Sequence, residues 1–144
     1  MYACLNIIFL VFLPFMAEVK QVRVAILDMY DGVANQGMRC IREILNSFAD
    51  MNVLDLSWDE FDVRGKCQVP DLSYDLFIST GGPGSPLESE GTEWENTFFN
   101  WIGEVKKWND HPLNSKKKQV FFICHSFQLA CRYFKIGNVC ARKS

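Results

Sequence analysis

The sequence predicts an α/β fold of three layers, in which helices cover both faces of a mostly parallel sheet. Two observations lead to this prediction. Short apolar runs rich in β-branched and aromatic residues recur along the chain, as strands buried on both faces require. Between them lie longer segments in which apolar residues return every three or four positions, the spacing of an amphipathic helix. Strands that alternate with helices build parallel sheets through right-handed crossovers.

The first strand and the first helix are predicted near the N-terminal end of the domain. Residues 22–28, VRVAILD, form a nearly continuous apolar run that ends at a carboxylate, which is typical of a strand buried on both faces. A turn follows this run. One apolar face of a helix is then formed by Met38, Ile41, Leu45 and Phe48.

The middle of the chain holds two further predicted strands and a glycine-rich loop. Residues 52–57, NVLDLS, are predicted as the second strand, and residues 61–73 are expected to be irregular. The third strand is predicted over residues 74–80, YDLFIST. It runs into GGPGSP at residues 81–86, where glycine and proline bend the backbone and expose its N–H groups.

The last third of the chain contains a second helix, a fourth strand and a third helix. An aromatic stripe at helical spacing indicates a core-facing seam on the second helix: Trp94, Phe98, Trp101, Val105 and Trp108. Residues 119–124, QVFFIC, are predicted as the fourth strand. The third helix follows at once, with a predicted apolar face formed by Phe127, Ala130, Cys131 and Phe134. This order of elements predicts an α/β/α sandwich with flavodoxin-like layering.

The composition excludes several classes of protein. At 144 residues the chain has the length of one domain, with 49% hydrophobic residues and a formal net charge of −2. No basic excess points to nucleic acid as a partner. Six cysteines form no C-x-x-C pair and have no metal-ligand spacing to the two histidines. We therefore expect no metal, no bound cofactor and no disulfide framework, and reduced thiols predict a cytoplasmic protein.

Residues 1–17 form an apolar N-terminal extension that allows three interpretations. The run over residues 3–17 is short for a membrane span of about 20 residues, so we do not expect the protein to cross a membrane. As a signal peptide or anchor it lacks a basic leading region. Alternatively, translation begins at Met16 and the extension is not part of the mature domain, or it packs as an additional strand. Residues 18–144 then form the predicted domain.

Three chemically unusual stretches fall at the predicted carboxyl ends of strands. They are residues 28–32, residues 81–86 and residues 124–128. In open parallel sheets, ligands bind outside the carboxyl ends of the strands, at the point where the strand order reverses. We therefore expect these stretches to form one site.

Cys124 is predicted to occupy a nucleophile elbow, because it lies between the fourth strand and the following helix. A helix N-terminus offers unpaired N–H groups and the positive end of a dipole, and both favour the reactive thiolate. The spacing leaves open the alternative of a small buried apolar side chain. The other five cysteines are expected to be inert.

The glycine-rich loop over residues 81–86 has several possible uses. It lacks the Lys-Ser/Thr pair of a nucleoside-triphosphate loop. Backbone N–H groups exposed toward a neighbouring strand end can stabilise a developing oxyanion. Binding of a flavin phosphate and a plain tight turn are the alternatives.

Three stretches in this order resemble the class I glutamine amidotransferase domain, and especially the amidotransferase part of GMP synthase. They are VAILDMYDGVANQGMRCIREI, YDLFISTGGPGSP and VFFICHSFQLACRYF, which together cover most of residues 22–137. The resemblance implies that Cys124 is the nucleophile and that the backbone N–H groups of Gly82 and His125 stabilise the oxyanion. It also implies three substrate-binding residues: Gln128, Gly81 and Pro83.

The resemblance further implies a reaction and a partner. The thiolate attacks the side-chain amide of glutamine, ammonia leaves, and water hydrolyses the resulting glutamyl thioester. The ammonia passes to a synthetase domain or subunit. Glutamine is therefore the expected substrate.

Two features depart from the family pattern. The family has glycine on both sides of the elbow, as G-x-C-x-G, where this sequence has Phe122 and Ser126. The serine is expected to help cap the helix. The family's general base lies in a later His-x-Glu motif that this sequence lacks, and we do not expect His111 to replace it.

These departures lead to a specific expectation. Residues 18–144 are interpreted as the N-terminal part of an amidotransferase domain, with little glutaminase turnover by itself. Three alternatives remain open: another elbow-cysteine α/β hydrolase, a non-catalytic binding or interaction module on the same fold, and a flavodoxin-like cofactor binder.

Overall fold

The computed structural model describes residues 20–137, 139 and 140, so the N-terminal extension over residues 1–17 lies outside the described residues. The strands are β1 (Gln21–Asp28), β2 (Asp55–Asp62), β3 (Leu76–Ser79) and β4 (Gln119–Phe122). The helices are α1 (Gln36–Asn52), α2 (Val63–Lys66), α3 (Glu93–Asp110) and α4 (His125–Phe134). The strand order is β2-β1-β3-β4 and every neighbouring pair is parallel. This confirms the predicted flavodoxin-like α/β fold.

Two apolar clusters, one on each face of the sheet, hold the three layers together. The central strand β1 supplies both, because side chains alternate between the faces of a strand. Ala25 and Leu27 pack into the cluster beneath α3 and α4, whereas Val24 and Ile26 pack into the cluster beneath α1. All four side chains are fully buried. Burial of one large aliphatic side chain contributes about 1.5–3 kcal/mol, so this strand is a main source of stability.

Helix α1 begins at a side-chain cap and covers one face of the sheet. The Asn35 side chain accepts a hydrogen bond from the Met38 N–H at 2.8 Å. Met38 and Leu45 are buried, as their spacing predicts, whereas Phe48 is half exposed near the end of the helix.

Aromatic packing holds α3 on the other face of the sheet. Thr92 caps the helix by accepting a hydrogen bond from the Glu95 N–H. Phe98 and Trp101 are buried as predicted, with ring centroids 5.8 Å apart. Phe77 of β3 meets the Trp101 ring edge-on at 5.3 Å. No helix in the described part of the chain is long and apolar enough to cross a bilayer.

The second strand is observed after α1 with bounds that differ from the prediction, and the prediction of an irregular segment after it is wrong in part. The sequence predicts a strand over residues 52–57, but Asn52 is the last residue of α1 and Val53 closes the helix with φ of 50°. Residues 61–73 are expected to be irregular, yet the first two complete β2 and α2 follows directly. The apolar pattern misplaces β2 because β2 is an edge strand with many exposed, charged side chains.

The buried face of α4 also differs from the prediction. The apolar spacing predicts a face that includes Phe127, which is 57% exposed in the structure. Ala130 is buried as predicted, and Leu129, which lies outside the predicted face, is buried as well. The orientation is set at the start of the helix, where the buried Ser126 hydroxyl donates a hydrogen bond to the Ser79 carbonyl of β3. This polar contact turns the face that carries Ser126 toward the sheet.

The strand order reverses between β1 and β3, since β1 connects to β2 on one side and pairs with β3 on the other. Three segments meet at the carboxyl edge near this point. Tyr30 follows β1, Gly81 follows β3, and Cys124 follows β4. The three unusual stretches of the sequence therefore lie at one edge of the sheet, as predicted.

Candidate active site

Cys124 forms the sharp turn between β4 and α4, and its side chain is exposed. Its backbone has φ of 51° and ψ of −104°, outside the regions that L-residues normally adopt. Such a conformation costs about 1–3 kcal/mol and persists only where the surrounding structure enforces it. The exposure excludes the alternative that Cys124 is a buried apolar side chain. The turn has the geometry of a nucleophile elbow.

Ser126 holds this turn in place. Its fully buried Oγ donates to the Ser79 carbonyl at 2.8 Å and accepts from the Ile123 N–H at 3.0 Å. The same Ile123 N–H reaches the Ser79 carbonyl at 2.9 Å. A serine is therefore accommodated at this elbow position because it links β3 to the turn. The expectation that its hydroxyl caps α4 is wrong, since the hydroxyl bonds to groups that precede the helix.

Phe122, on the other side of the elbow, is accommodated by the core. Its ring packs edge-on against Phe98 of α3, with centroids 6.4 Å apart. The side chain is only partly exposed. Hydrogen bonds therefore accommodate Ser126 in place of one glycine, and apolar packing accommodates Phe122 in place of the other.

The glycine loop passes close to both β1 and the elbow. A Cβ at Gly82 would lie 2.2 Å from the Met29 carbonyl oxygen, a distance that no side chain tolerates. A Cβ at Gly81 would lie 3.5 Å from the Cβ of Cys124, which is ordinary contact. Among the described residues, no backbone carbonyl accepts a hydrogen bond from the Gly82 N–H. This N–H is therefore not used by the backbone of the described residues.

His125 contributes its backbone and not its ring to the elbow. Its N–H lies in the first turn of α4, where N–H groups have no intrahelical partner. The ring is 2% exposed and packs against Trp94, with centroids 6.5 Å apart. Burial and the nearby charge of Arg64 lower the pKa of the imidazole, although a hydrogen bond to the Gly84 backbone acts in the opposite sense. The ring is therefore neutral at pH 7.

Arg64 of α2 supports the glycine loop from inside the molecule. Its Nη1 donates to the Pro83 carbonyl at 2.7 Å and lies 3.4 Å from the Met29 carbonyl. Its guanidinium lies 5.2 Å from the centroid of the Trp94 ring. The side chain therefore ties the loop after β3 to the loop after β1 and to the start of α3.

A cavity of about 110 Å³ lies between Arg64 and His125. Its other lining residues come from the glycine loop, the segment after it and the start of α3: Gly84, Ser85, Glu88, Ser89, Thr92 and Trp94. Within the described residues, Nε of Arg64 and Nε2 of His125 are buried without a hydrogen-bond partner. A polar cavity of this size suits a few ordered waters.

Two predicted substrate-binding residues lie beside the elbow. Gln128 is one turn after Cys124 on α4, and its N–H donates to the Cys124 carbonyl at 3.1 Å. The Gln128 side chain is exposed in the first turn of α4. Pro83 is also exposed, but its carbonyl faces Arg64.

Neither histidine of the chain has its ring beside the thiol. The ring of His125 is buried against Trp94, as described above. His111 follows the last residue of α3, a helix of 18 residues that begins near the carboxyl edge of the sheet. At 1.5 Å per residue, the helix separates His111 from that edge by roughly 27 Å. His111 is therefore too far from Cys124 to act as its base.

Tyr30 belongs to the site but is not among the predicted site residues. Its hydroxyl oxygen lies 3.5 Å from the position that a Cβ of Gly81 would occupy, as does the Cβ of Cys124. The hydroxyl oxygen of Tyr30 and the Cβ of Cys124 are therefore no farther apart than twice 3.5 Å. The sequence signal that marks Tyr30 is its place in the stretch after β1, at the reversal of strand order.

Comparison with protein-family models finds no match for this chain, and no curated protein matches it significantly.

Proposed function

We propose that the chain forms the nucleophile-bearing part of a class I glutamine amidotransferase of the kind found in GMP synthase. The observation that carries this proposal is the exposed Cys124 in a strained turn, beside a glycine loop with an N–H that the described backbone does not use. A thiol at a helix N-terminus is favoured as thiolate, and an adjacent N–H can stabilise an oxyanion. The substrate proposed is the side-chain amide of glutamine.

The proposed half-reaction uses the elbow and the loop together. The sulfur of Cys124 attacks the side-chain carbonyl carbon of glutamine, and the negative charge develops on the carbonyl oxygen. The N–H groups of Gly82 and His125 donate to this oxygen. Loss of one such donor costs about 3–4 kcal/mol in other enzymes. The C–N bond then breaks, the amide nitrogen leaves with the thiol proton as ammonia, and water hydrolyses the glutamyl thioester to glutamate.

Substrate contacts are proposed for three positions near the thiol. Gln128 is exposed in the first turn after Cys124, and its amide side chain can donate and accept hydrogen bonds with a bound amino acid. Gly81 leaves room beside the thiol because it has no side chain. Pro83 shapes the exposed part of the loop.

Slow turnover is part of the proposal, because neither histidine ring stands beside the thiol. A nucleophile without an adjacent base forms its adduct but completes hydrolysis slowly. The ammonia is proposed to pass to a synthetase domain or subunit. A cytoplasmic location is also proposed, since the five cysteines that the structure describes are free thiols.

The experiment that tests this proposal is labelling with 6-diazo-5-oxonorleucine, an electrophile shaped like glutamine. The L- and D-isomers are compared, and the labelled cysteines are identified by peptide mass spectrometry. We expect Cys124 to react with the L-isomer at least tenfold faster than with the D-isomer. Cys40, which is also free and exposed, serves as the internal control and is expected to show no preference. The Cys124→Ala variant is expected to show no isomer-dependent labelling.

Other outcomes would separate the alternatives. Equal labelling of Cys124 by both isomers, at a rate well above that of Cys40, would contradict glutamine recognition and favour another elbow-cysteine hydrolase. Labelling of Cys124 no faster than that of Cys40 would contradict a nucleophilic role and favour a binding module.

A further inference from the structure

The hydroxyl of Tyr30 occupies a position that the surrounding chain keeps open. A Cβ at Gly37 would lie 2.3 Å from this oxygen, so any side chain at that position of α1 would displace the phenol. A Cβ at Gly81 would lie 3.5 Å from the same oxygen. Glycines from α1 and from the loop after β3 therefore flank the hydroxyl on two sides.

The turn that carries Tyr30 is fixed by its own hydrogen bonds. The Tyr30 N–H donates to Oδ1 of Asp28 at 2.8 Å, and the Tyr30 carbonyl accepts from the Val33 N–H at 3.0 Å. In the same turn, Asp31 has φ of 57° and Gly32 has φ of 71°. The phenol is therefore held on the side of the loop that faces Gly81 and the elbow.

The phenol of Tyr30 and the side chain of Cys124 both lie next to Gly81, near the position that a Cβ would occupy. The Cβ of Cys124 and the hydroxyl oxygen of Tyr30 are each 3.5 Å from the same point beside Gly81. The thiol sulfur extends one bond beyond that Cβ. None of the side-chain hydrogen bonds made within the described residues uses the Tyr30 hydroxyl, so this donor is free to serve the elbow.

We propose that Tyr30 is a positioning residue of the Cys124 site, whose hydroxyl donates a hydrogen bond to the sulfur when the sulfur carries negative charge. The phenol would thus supply a donor to the sulfur itself, on the side of the site nearest β1. The N–H groups of the elbow and of the glycine loop serve the substrate oxygen. Tyr30 would therefore raise the fraction of thiolate at neutral pH.

The charges around the phenol support its role as a donor. Burial raises the pKa of Tyr30, and the neighbouring Asp28, Cys124 and Cys40 raise it further. The hydroxyl therefore keeps its proton across the pH range in which a thiol ionises. Asp28 lies at the end of β1 and Cys40 on α1, so these are the titratable groups that face the phenol together with Cys124.

This inference rests on the proposed nucleophilic role of Cys124 but not on glutamine as the substrate. The test therefore uses iodoacetamide, a small electrophile that requires only a thiolate. The alkylation rate of Cys124 is followed by peptide mass spectrometry from pH 6 to pH 10, in a Cys40→Ala background that removes the nearest other thiol. Selective labelling by the glutamine analogue is a separate result, so either proposal can fail while the other stands.

The Tyr30→Phe variant is expected to alkylate roughly tenfold more slowly at pH 7, the effect of losing one hydrogen bond to a charged acceptor. At pH 10, well above the ordinary pKa of a thiol of about 8.5, the rates of wild type and variant should converge. The pH at half the limiting rate should therefore rise by about one unit. Tyr133→Phe, which removes a phenol hydroxyl near Gly103, is the matched control and should leave the profile unchanged.

A second variant keeps the test decisive if Tyr30→Phe fails to fold. Gly37→Ala retains the phenol but forces it away from its position, and it should shift the pH profile in the same direction. Identical profiles for wild type and for whichever of the two variants folds would overturn the proposal. An equal loss of rate at all pH values would also overturn it, because a merely steric role leaves the ionisation of the thiol unchanged.

Discussion

Replacement of Gly82 by alanine should destabilise the protein because of one backbone contact. The new Cβ would lie 2.2 Å from the Met29 carbonyl oxygen and 3.0 Å from its carbon. These are backbone atoms of Met29, a fully buried residue that directly follows β1, so neither side of the contact can move without shifting β1 or the loop. Overpacking of this kind costs about 1–3 kcal/mol.

The matched control is Gly81→Ala, the same substitution one residue earlier. Its Cβ would lie no closer than 3.5 Å to any neighbour, so the free energy of unfolding should change by less than about 0.5 kcal/mol. Urea unfolding followed by tryptophan fluorescence measures both variants. With a slope of about 1–3 kcal/mol per molar urea, Gly82→Ala should lower the midpoint by roughly 1 M. Equal midpoints for the two variants would refute the close approach of the glycine loop to β1.

Three further predictions concern the groups that hold the elbow and the layers. Ser126→Ala should lower the free energy of unfolding by about 1–2 kcal/mol, measured by urea unfolding, because it leaves the Ile123 N–H and the Ser79 carbonyl without the hydroxyl. An unchanged stability would contradict the buried hydrogen bonds. Burial lowers the pKa of His125, so below about pH 6.5 the unfolded chain binds a proton at this imidazole more readily than the folded chain does. The free energy of unfolding should therefore fall as the pH drops below about 6.5. His125→Gln should flatten this dependence between pH 7 and pH 5, and an unaltered slope would count against a buried neutral ring. Arg132→Met should lower the free energy of unfolding by about 3–5 kcal/mol, measured by thermal unfolding. The substitution removes the guanidinium that contacts the carboxylate of Glu95, which is 2% exposed, and so leaves this buried charge without its counter-charge. A loss below 1 kcal/mol would show that the pair is not buried in solution.

The bounds of β1 were predictable from the sequence, whereas those of β2 were not. The run over residues 22–28 is nearly continuous in apolar residues, because β1 lies inside the sheet, and the strand is observed at Gln21–Asp28. β2 lies at the edge and most of its side chains are exposed or only partly buried, so no apolar run marks it. Its start also depends on the left-handed backbone of Val53, which apolar spacing does not reveal.

The orientation of α4 was not predictable from apolar spacing. A pattern that counts apolar residues places Phe127 inside the protein. The structure instead turns the helix toward the buried hydroxyl of Ser126, which bonds to a carbonyl of another strand. A polar residue that is buried for a tertiary hydrogen bond gives no hydrophobic signal, so periodicity assigns the wrong face.

The position of Cys124 was predictable, because a break between an apolar run and a helical pattern marks a strand-to-helix turn. Its strained backbone and its exposure appear only in the structure. Tyr30 was missed for a different reason. Its contact with the site depends on the path of the loop after β1 and on the two glycines that flank its hydroxyl, which come from separate parts of the chain.

The proposed attack of Cys124 on the side-chain amide of glutamine can be observed in a single turnover. The most direct test is to mix the protein with L-glutamine, quench with acid after seconds to minutes, and measure the mass of the peptide that contains Cys124. We expect a glutamyl thioester on Cys124, with up to one ammonia released per chain in the first turnover and slow release afterwards. The Cys124→Ala variant should show neither product. Absence of any adduct at saturating glutamine, in a protein whose Cys124 is readily alkylated by iodoacetamide, would contradict the account.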